Sequence, residues 1–320
     1  MRKKDVNEEQ QGRTVDRRGF LKSFLGLSAV SEHSDDAEAA PVKSGVSFFW
    51  ANLQNGQVAF PTGMNVPSGE PGSVMKLITA SALRESGCYT NDQKIECRGN
   101  VEINKRVYKC LYAHGNVDLV RALGLSCNVF FATAAHEHLS RTALVEYARR
   151  FGLDRPVAGF PPKRFAAEGG APPGQPGSDV AEYALGLSPE LLPNALQLLR
   201  VVALVALNGK IPPLHNAAED PAAEPPFSLQ LEDATWHALQ QGMRIAEREG
   251  TAHRLDPQDT LKIAAKTGTA PHGKSFQSWI AGYFPFDAPR YAFCLRAPSG
   301  TSQEAAVPAA HSFLFAAPWP

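Results

Sequence analysis

Residues 41–320 carry strand-type patterns at both ends and helix-type patterns between them, so the chain can build one sheet only by laying its first strands beside its last. At the start, Val46–Asn52 and Gln57–Phe60 read as strands around Gln54-Asn55-Gly56. Asn-Gly between apolar runs is a hairpin signal, because both central residues of a type I′ turn need φ > 0. At the far end, Leu261–Thr267, Ser278–Phe284 and Tyr291–Leu295 read as strands whose short connections predict antiparallel neighbours. Between these lies a helix over Ser73–Glu85, with Val74, Leu77, Ile78 and Leu83 at helical spacing and Gly87 to end it. A β-rich excursion over Cys88–Tyr112 follows, then helices over Val117–Leu123, Asn128–His138, Thr142–Phe151, Asn194–Leu207 and Leu231–Glu247. Residues 161–179 and 212–226 read as loops rich in proline with glycine or alanine. The expected class is α+β: a central antiparallel sheet of about five strands from N- and C-terminal parts, flanked by helices, with a helical subdomain in the middle. The tail Glu304–Pro320 reads as short and broken by proline, where a closing helix would be expected.

Charge narrows the function classes. Lys+Arg and Asp+Glu both number 32, which argues against a nucleic-acid binder relying on bulk basic charge. Hydrophobic residues at 43 % support a real core. Residues 1–40 are set apart. Asp16-Arg17-Arg18-Gly19-Phe20-Leu21-Lys22 resembles a twin-arginine export signal, followed by a short apolar stretch from Ser23 to Val30 and a small-residue cleavage candidate, Ala37-Glu38-Ala39. The expected division is an export signal and linker over 1–40 and one domain over 41–320, located in the periplasm or on the outer face of the cytoplasmic membrane. Only about 40 residues precede the first strand, so no further large domain is expected within that stretch.

Three short patterns carry the chemistry. Ser73-Val74-Met75-Lys76 opens a helix, Ser126-Cys127-Asn128 joins two helices, and Lys266-Thr267-Gly268-Thr269-Ala270 ends a strand. Each is weak alone; the ordered set is specific. A serine hydroxyl is a poor nucleophile until a base takes its proton. Lys76 sits one helical turn from Ser73 and becomes such a base if burial disfavours its ammonium. In an extended connection Ser126 and Asn128 point the same way, one to relay a proton and the other to hold a substrate amide. Lys266 offers positive charge to an anionic substrate. Gly268 lets a ligand approach the strand, and the Thr269 N–H can donate to an oxyanion.

Ordered in this way, the motifs are those of serine β-lactamases and penicillin-binding proteins. The chain resembles the transpeptidase domain of penicillin-binding proteins, nearest in character to the monofunctional class B type, from about residue 45 to 297. Further support comes from Glu70-Pro71-Gly72, Tyr108-Lys109-Cys110, His114–Leu119, Val129-Phe130-Phe131 and Gly250-Thr251-Ala252. The resemblance implies a serine D,D-transpeptidase of peptidoglycan synthesis. Ser73 would attack the D-Ala-D-Ala carbonyl of a stem peptide, or a β-lactam, with Lys76 as base and Ser126 as proton shuttle. Asn128 and the strand residues Lys266, Thr267, Gly268 and Thr269 would bind substrate. No cofactor, metal or nucleic acid is expected; stem peptides, β-lactams and cell-wall synthesis proteins are the expected partners.

Rival readings are a D,D-carboxypeptidase or β-lactamase on the same fold, and an inactive penicillin-binding scaffold. Glu190-x-x-x-Asn194 superficially matches a class A deacylation motif but lies 64 residues past Ser126. Gly268–Ser275 matches the P-loop expression, yet the segment after it reads as a strand where the loop requires a helix. His136-Glu137-His138 reads as a polar helix end. The five cysteines include no CxxC pair, which excludes a zinc ribbon. Export would allow a disulfide between Cys97 and Cys110, which flank a strand-like stretch with little to bury; closing that loop is worth about 3 kcal/mol. Two unrelated thiols are the other reading, because the cysteine count is odd and Cys88 is a spare candidate.

Overall fold

The computed structural model describes residues 45–90, 93–160, 163, 179–216, 226–316 and 319. The expected sheet is present. Strands β1 (Ser47–Asn52) and β2 (Val58–Ala59) form the hairpin around Gly56, whose φ is +81°. The other three strands of this sheet are Ala264–His272, Ser275–Phe284 and Tyr291–Ala297. The order is β2, β1, Tyr291–Ala297, Ser275–Phe284, Ala264–His272, and every pairing is antiparallel. First and last parts of the chain therefore meet at the centre, where Phe49 lies opposite Cys294 and Trp50 opposite Phe293.

Strand alternation divides the core. Phe49, Ala51, Ala292 and Cys294 face one way, and Phe48, Trp50, Phe293 and Leu295 the other. The first face packs on the helix Ala195–Ala206, which is buried along its whole length and apolar but for Gln197 and Arg200. Its one charge, Arg200, donates to Gly152 O at 2.7 Å and to Pro156 O, and stacks on Phe227, so the buried guanidinium is not left unpaired. Asn194 caps this helix in a reciprocal box with Gln197.

The second face is covered by the helix Val307–Ala316, where Phe313 stacks on Phe48 at 4.7 Å. The tail thus supplies the closing helix that its prolines argued against. Pro308 falls where a wider π-helical turn, Ser302–Ala306, hands over to this helix, so the proline sits at the change of winding and does not end the segment.

The middle of the chain holds the expected helices at Asn128–His138, Arg141–Arg150 and Asp233–Arg248, with a short one at Leu119–Gly124. A further five-residue helix at Val180–Ala184 has too little length to leave a periodic signal. The excursion after Cys88 forms two small ribbons: Ile95–Cys97 pairs with Gly115–Val117, and Asn100–Ile103 with Arg106–Lys109. Gly268–Ser275 is a strand end, Gly268–His272, and the turn of a hairpin at Gly273-Lys274, with Gly273 at φ +59° and His272 opposite Ser275, which removes the phosphate-loop reading. Residues 1–40 and most of 161–179 and 212–226 lie outside the described residues. No helix among the described residues is long and apolar enough to cross a membrane.

Candidate active site

Ser73 lies on a single 3-10 turn, Gly72–Met75, which runs into the helix Lys76–Glu85. The turn is clamped to the edge strand Ala264–His272. Gly72 has φ +53°, and a Cβ on it would lie 2.5 Å from Thr269 O; a Cβ on Gly268 would lie 2.3 Å from Pro71 O. The close approach that requires Gly268 is thus made by the chain's own Pro71 carbonyl, not by a ligand. Upstream, Trp279 Nε1 donates to Glu70 O at 3.0 Å and Gln277 Nε2 to Glu70 Oε2 at 2.6 Å, while Arg296 holds Gln277 Oε1 at 2.9 Å. These supporting residues were missed in the sequence because their strand register, not any motif, brings them to Glu70.

Lys76 begins the helix and is fully buried. Its Nζ donates to Ser126 O at 2.7 Å, to Asn128 Oδ1 at 2.6 Å and to Ser126 Oγ at 3.3 Å. Burial lowers its pKa from 10.5 to about 8, with nearby Cys127 and Cys110 pulling the other way. Lys266 is also fully buried, and its Nζ donates to Ser126 Oγ at 2.9 Å and to Thr267 O at 3.1 Å. Burial and the Lys76 charge both push the Lys266 pKa well down. Two lysines 190 positions apart therefore converge on one hydroxyl.

That hydroxyl is presented by strained backbone. Ser126 has φ +55°, the left-handed region, rather than the extended conformation expected from the motif. Cys127 behind it caps the helix Asn128–His138, with Sγ accepting from Phe130 N. Asn128 donates through Nδ2 to Lys109 O at 2.6 Å, so both ends of its amide are engaged by the chain itself. Thr267 shares a 2.6 Å hydrogen bond with Thr251 through their hydroxyls, and Thr269 Oγ1 accepts from Ser302 N at 3.0 Å. The structure thus brings Lys76, Ser126, Asn128 and Lys266 into one hydrogen-bonded group, with Ser73 one turn before Lys76 and Gly268 against its turn. Glu190 is paired with Arg141 and bonds to none of these residues.

A family model, the penicillin binding protein transpeptidase domain, matches residues 54–314. The chain belongs to this family. A penicillin-binding protein PbpB of Mycolicibacterium smegmatis is 27 % identical over 274 residues, covering 76 % of this chain and 42 % of that protein. Pseudomonas aeruginosa PBP2, solved in complex with WCK 5153, superposes with a TM-score of 0.71 at 20 % identity over 85 % of this chain and 70 % of that one. Helicobacter pylori PBP2, solved in complex with MreC, gives 0.69 at 20 % identity over 84 % of this chain and 59 % of that one. The chain thus spans less than half the length of PbpB and about three fifths of the H. pylori protein. The transpeptidase fold explains why the strands come from both ends: the Lys266 strand must lie beside the Ser73 turn to close the site.

Cysteine placement departs from expectation. Cys97 and Cys110 have their sulfurs 3.7 Å apart and are free thiols, as is every other cysteine, so the expected bridge is not formed. Cys110 Sγ is also 3.8 Å from Cys127 Sγ, and His114 Nδ1 is 3.3 Å from Cys97 Sγ. The four ligand atoms lie within 4.8 Å of one another. In the sequence this group has the spacing C-x12-C-x3-H-x12-C, which no short motif would reveal. His136-Glu137-His138 is no part of it; His138 pairs with Glu137 at 3.7 Å.

Proposed function

We propose that this transpeptidase-family chain is a serine D,D-transpeptidase acting on D-Ala-D-Ala stem peptides in peptidoglycan synthesis, and that β-lactams acylate it at Ser73. The convergence of Lys76 and Lys266 on the Ser126 hydroxyl, one helical turn from Ser73, carries this reading. Neutral Lys76 takes the Ser73 proton as Oγ attacks the carbonyl of the penultimate D-Ala, and the Thr269 N–H donates to the oxyanion. The C–N bond to the terminal D-Ala breaks, and Ser126 passes its proton to the departing amine as it takes one from the Lys76 ammonium. An acceptor amine then attacks the Ser73 ester, forms the cross-link amide and frees the serine. Lys266 stabilises the terminal carboxylate of the substrate; that negative charge would in turn favour the Lys266 ammonium which burial disfavours. Residues 1–40 would direct export to the periplasm or the outer face of the cytoplasmic membrane, where MreC-like cell-wall proteins are candidate partners.

Fluorescent penicillin followed by intact-mass measurement tests the assignment. A long-lived adduct on the wild type and none on a folded Ser73→Ala variant is expected; labelling that persists in Ser73→Ala refutes it. With a stem peptide and an acceptor amine, the expected product is the cross-linked amide. Hydrolysis alone would make the enzyme a carboxypeptidase, and fast penicillin turnover without an adduct would make it a β-lactamase.

A further inference from the structure

We propose that Cys97, Cys110, His114 and Cys127 form a structural zinc site that anchors the Ser126-Cys127-Asn128 turn. The donor set is three sulfurs and one imidazole, a combination that selects zinc among common divalent ions. Tetrahedral geometry with Zn–S bonds of 2.3 Å requires sulfurs about 3.8 Å apart, and a Zn–N bond near 2.05 Å places nitrogen about 3.6 Å from sulfur. The sulfur pairs here stand at 3.7 and 3.8 Å and the nitrogen at 3.3 Å from Cys97 Sγ. A disulfide would demand about 2.05 Å. All four residues are buried or half-buried.

The surroundings suit bound thiolates. Backbone N–H groups of Asn128 and Val129 point at Cys110 Sγ at 3.1 and 3.4 Å, and that of Phe130 at Cys127 Sγ at 3.4 Å. Donors aimed at sulfur orient metal ligands and stabilise their negative charge. His114 keeps its second ring nitrogen, Nε2, buried without a hydrogen bond, so neither ring nitrogen is committed to an oxygen acceptor.

The ligands also lie where a staple is needed. Cys97 ends one two-stranded ribbon, Cys110 follows the other, and His114 immediately precedes the strand that pairs with Ile95–Cys97. These ribbons have few apolar side chains of their own to bury, chiefly Ile103, Tyr108 and Val117. Small units of this kind gain order from metals or disulfides. The fourth ligand, Cys127, stands between the two active-site residues of its motif. Zinc would tie the ribbons to that turn and hold Lys109 O against Asn128, leaving no ligand shared with the catalytic group.

The test uses the full chain, purified without added chelator. Elemental analysis should give one zinc per chain in the wild type and at most a tenth of that in Cys97→Ser and in His114→Ala, neither residue being part of the catalytic group. If these variants fold poorly, cobalt reconstitution of the wild type provides the second readout: thiolate-to-cobalt charge-transfer absorption with the intense visible bands of a tetrahedral site. Metal-free wild-type protein that gains neither zinc nor those bands, or native protein holding a Cys97–Cys110 disulfide or iron instead, overturns the site. Removing zinc should slow fluorescent-penicillin acylation about tenfold, with recovery on adding zinc chloride. Undiminished acylation in zinc-free protein overturns the anchoring role, while zinc binding stays readable even if no penicillin reacts.

Discussion

The pH dependence of acylation offers a quantitative check on Lys76 as the base. A lysine with an ordinary pKa near 10.5 is neutral in about one molecule in 3,000 at pH 7, whereas one at about 8 is neutral in about one in eleven. Burial therefore raises the competent fraction roughly 300-fold, at a cost of about 3 kcal/mol for the charged form. The sign follows directly: the folded state releases this proton more readily than the unfolded chain. Acylation should thus climb as pH rises, about 50-fold from pH 6 to 8, and then only about twofold more by pH 10. Lys266 is the other amine on the Ser126 hydroxyl, and the Lys76 value is set by burial, which lowers it, against Cys127 and Cys110, which raise it. Stopped-flow labelling with a fluorescent penicillin whose own charge does not change over this range gives the profile. Lys76→Arg keeps a charge that cannot be lost in the same range and should fall at least 100-fold. A rate that keeps rising tenfold per unit to pH 10 would remove the lowered pKa, and near-wild-type acylation by Lys76→Arg would remove Lys76 as base.

Three further outcomes test the scaffold. Gly268→Ala would force a Cβ against the Pro71 carbonyl, so urea denaturation should show a loss of about 1–3 kcal/mol together with slower acylation. Asn194→Ala removes a capping box and should cost about 1 kcal/mol in the same measurement, with acylation unchanged. Phe313→Ala strips the ring that stacks on Phe48 and should cost about 3–5 kcal/mol, showing that the closing helix is an integral part of the domain.

The elements and the motif residues were legible in the sequence because they depend on local physics. Gly56 ends the hairpin turn through its own positive φ, and the helix that runs to Glu85 shows itself by Val74, Leu77, Ile78 and Leu83 at helical spacing. The tertiary structure alone decided which segments meet. The left-handed φ of Ser126, the ion pair that occupies Glu190, and the Glu70–Gln277–Arg296 chain all depend on partners far away in the sequence. The tail misled for a related reason: Pro308 looks like a helix breaker until it is seen at the junction of a π-helical turn with the closing helix. The cysteines make the clearest case. Their wide spacing suggested one bridge and unrelated thiols, because pairing two ribbons with a helix N-terminus is a long-range event that no short motif records. Local propensity acts over a few residues, whereas a chemical site needs atoms a few ångströms apart, and only folding converts one kind of nearness into the other.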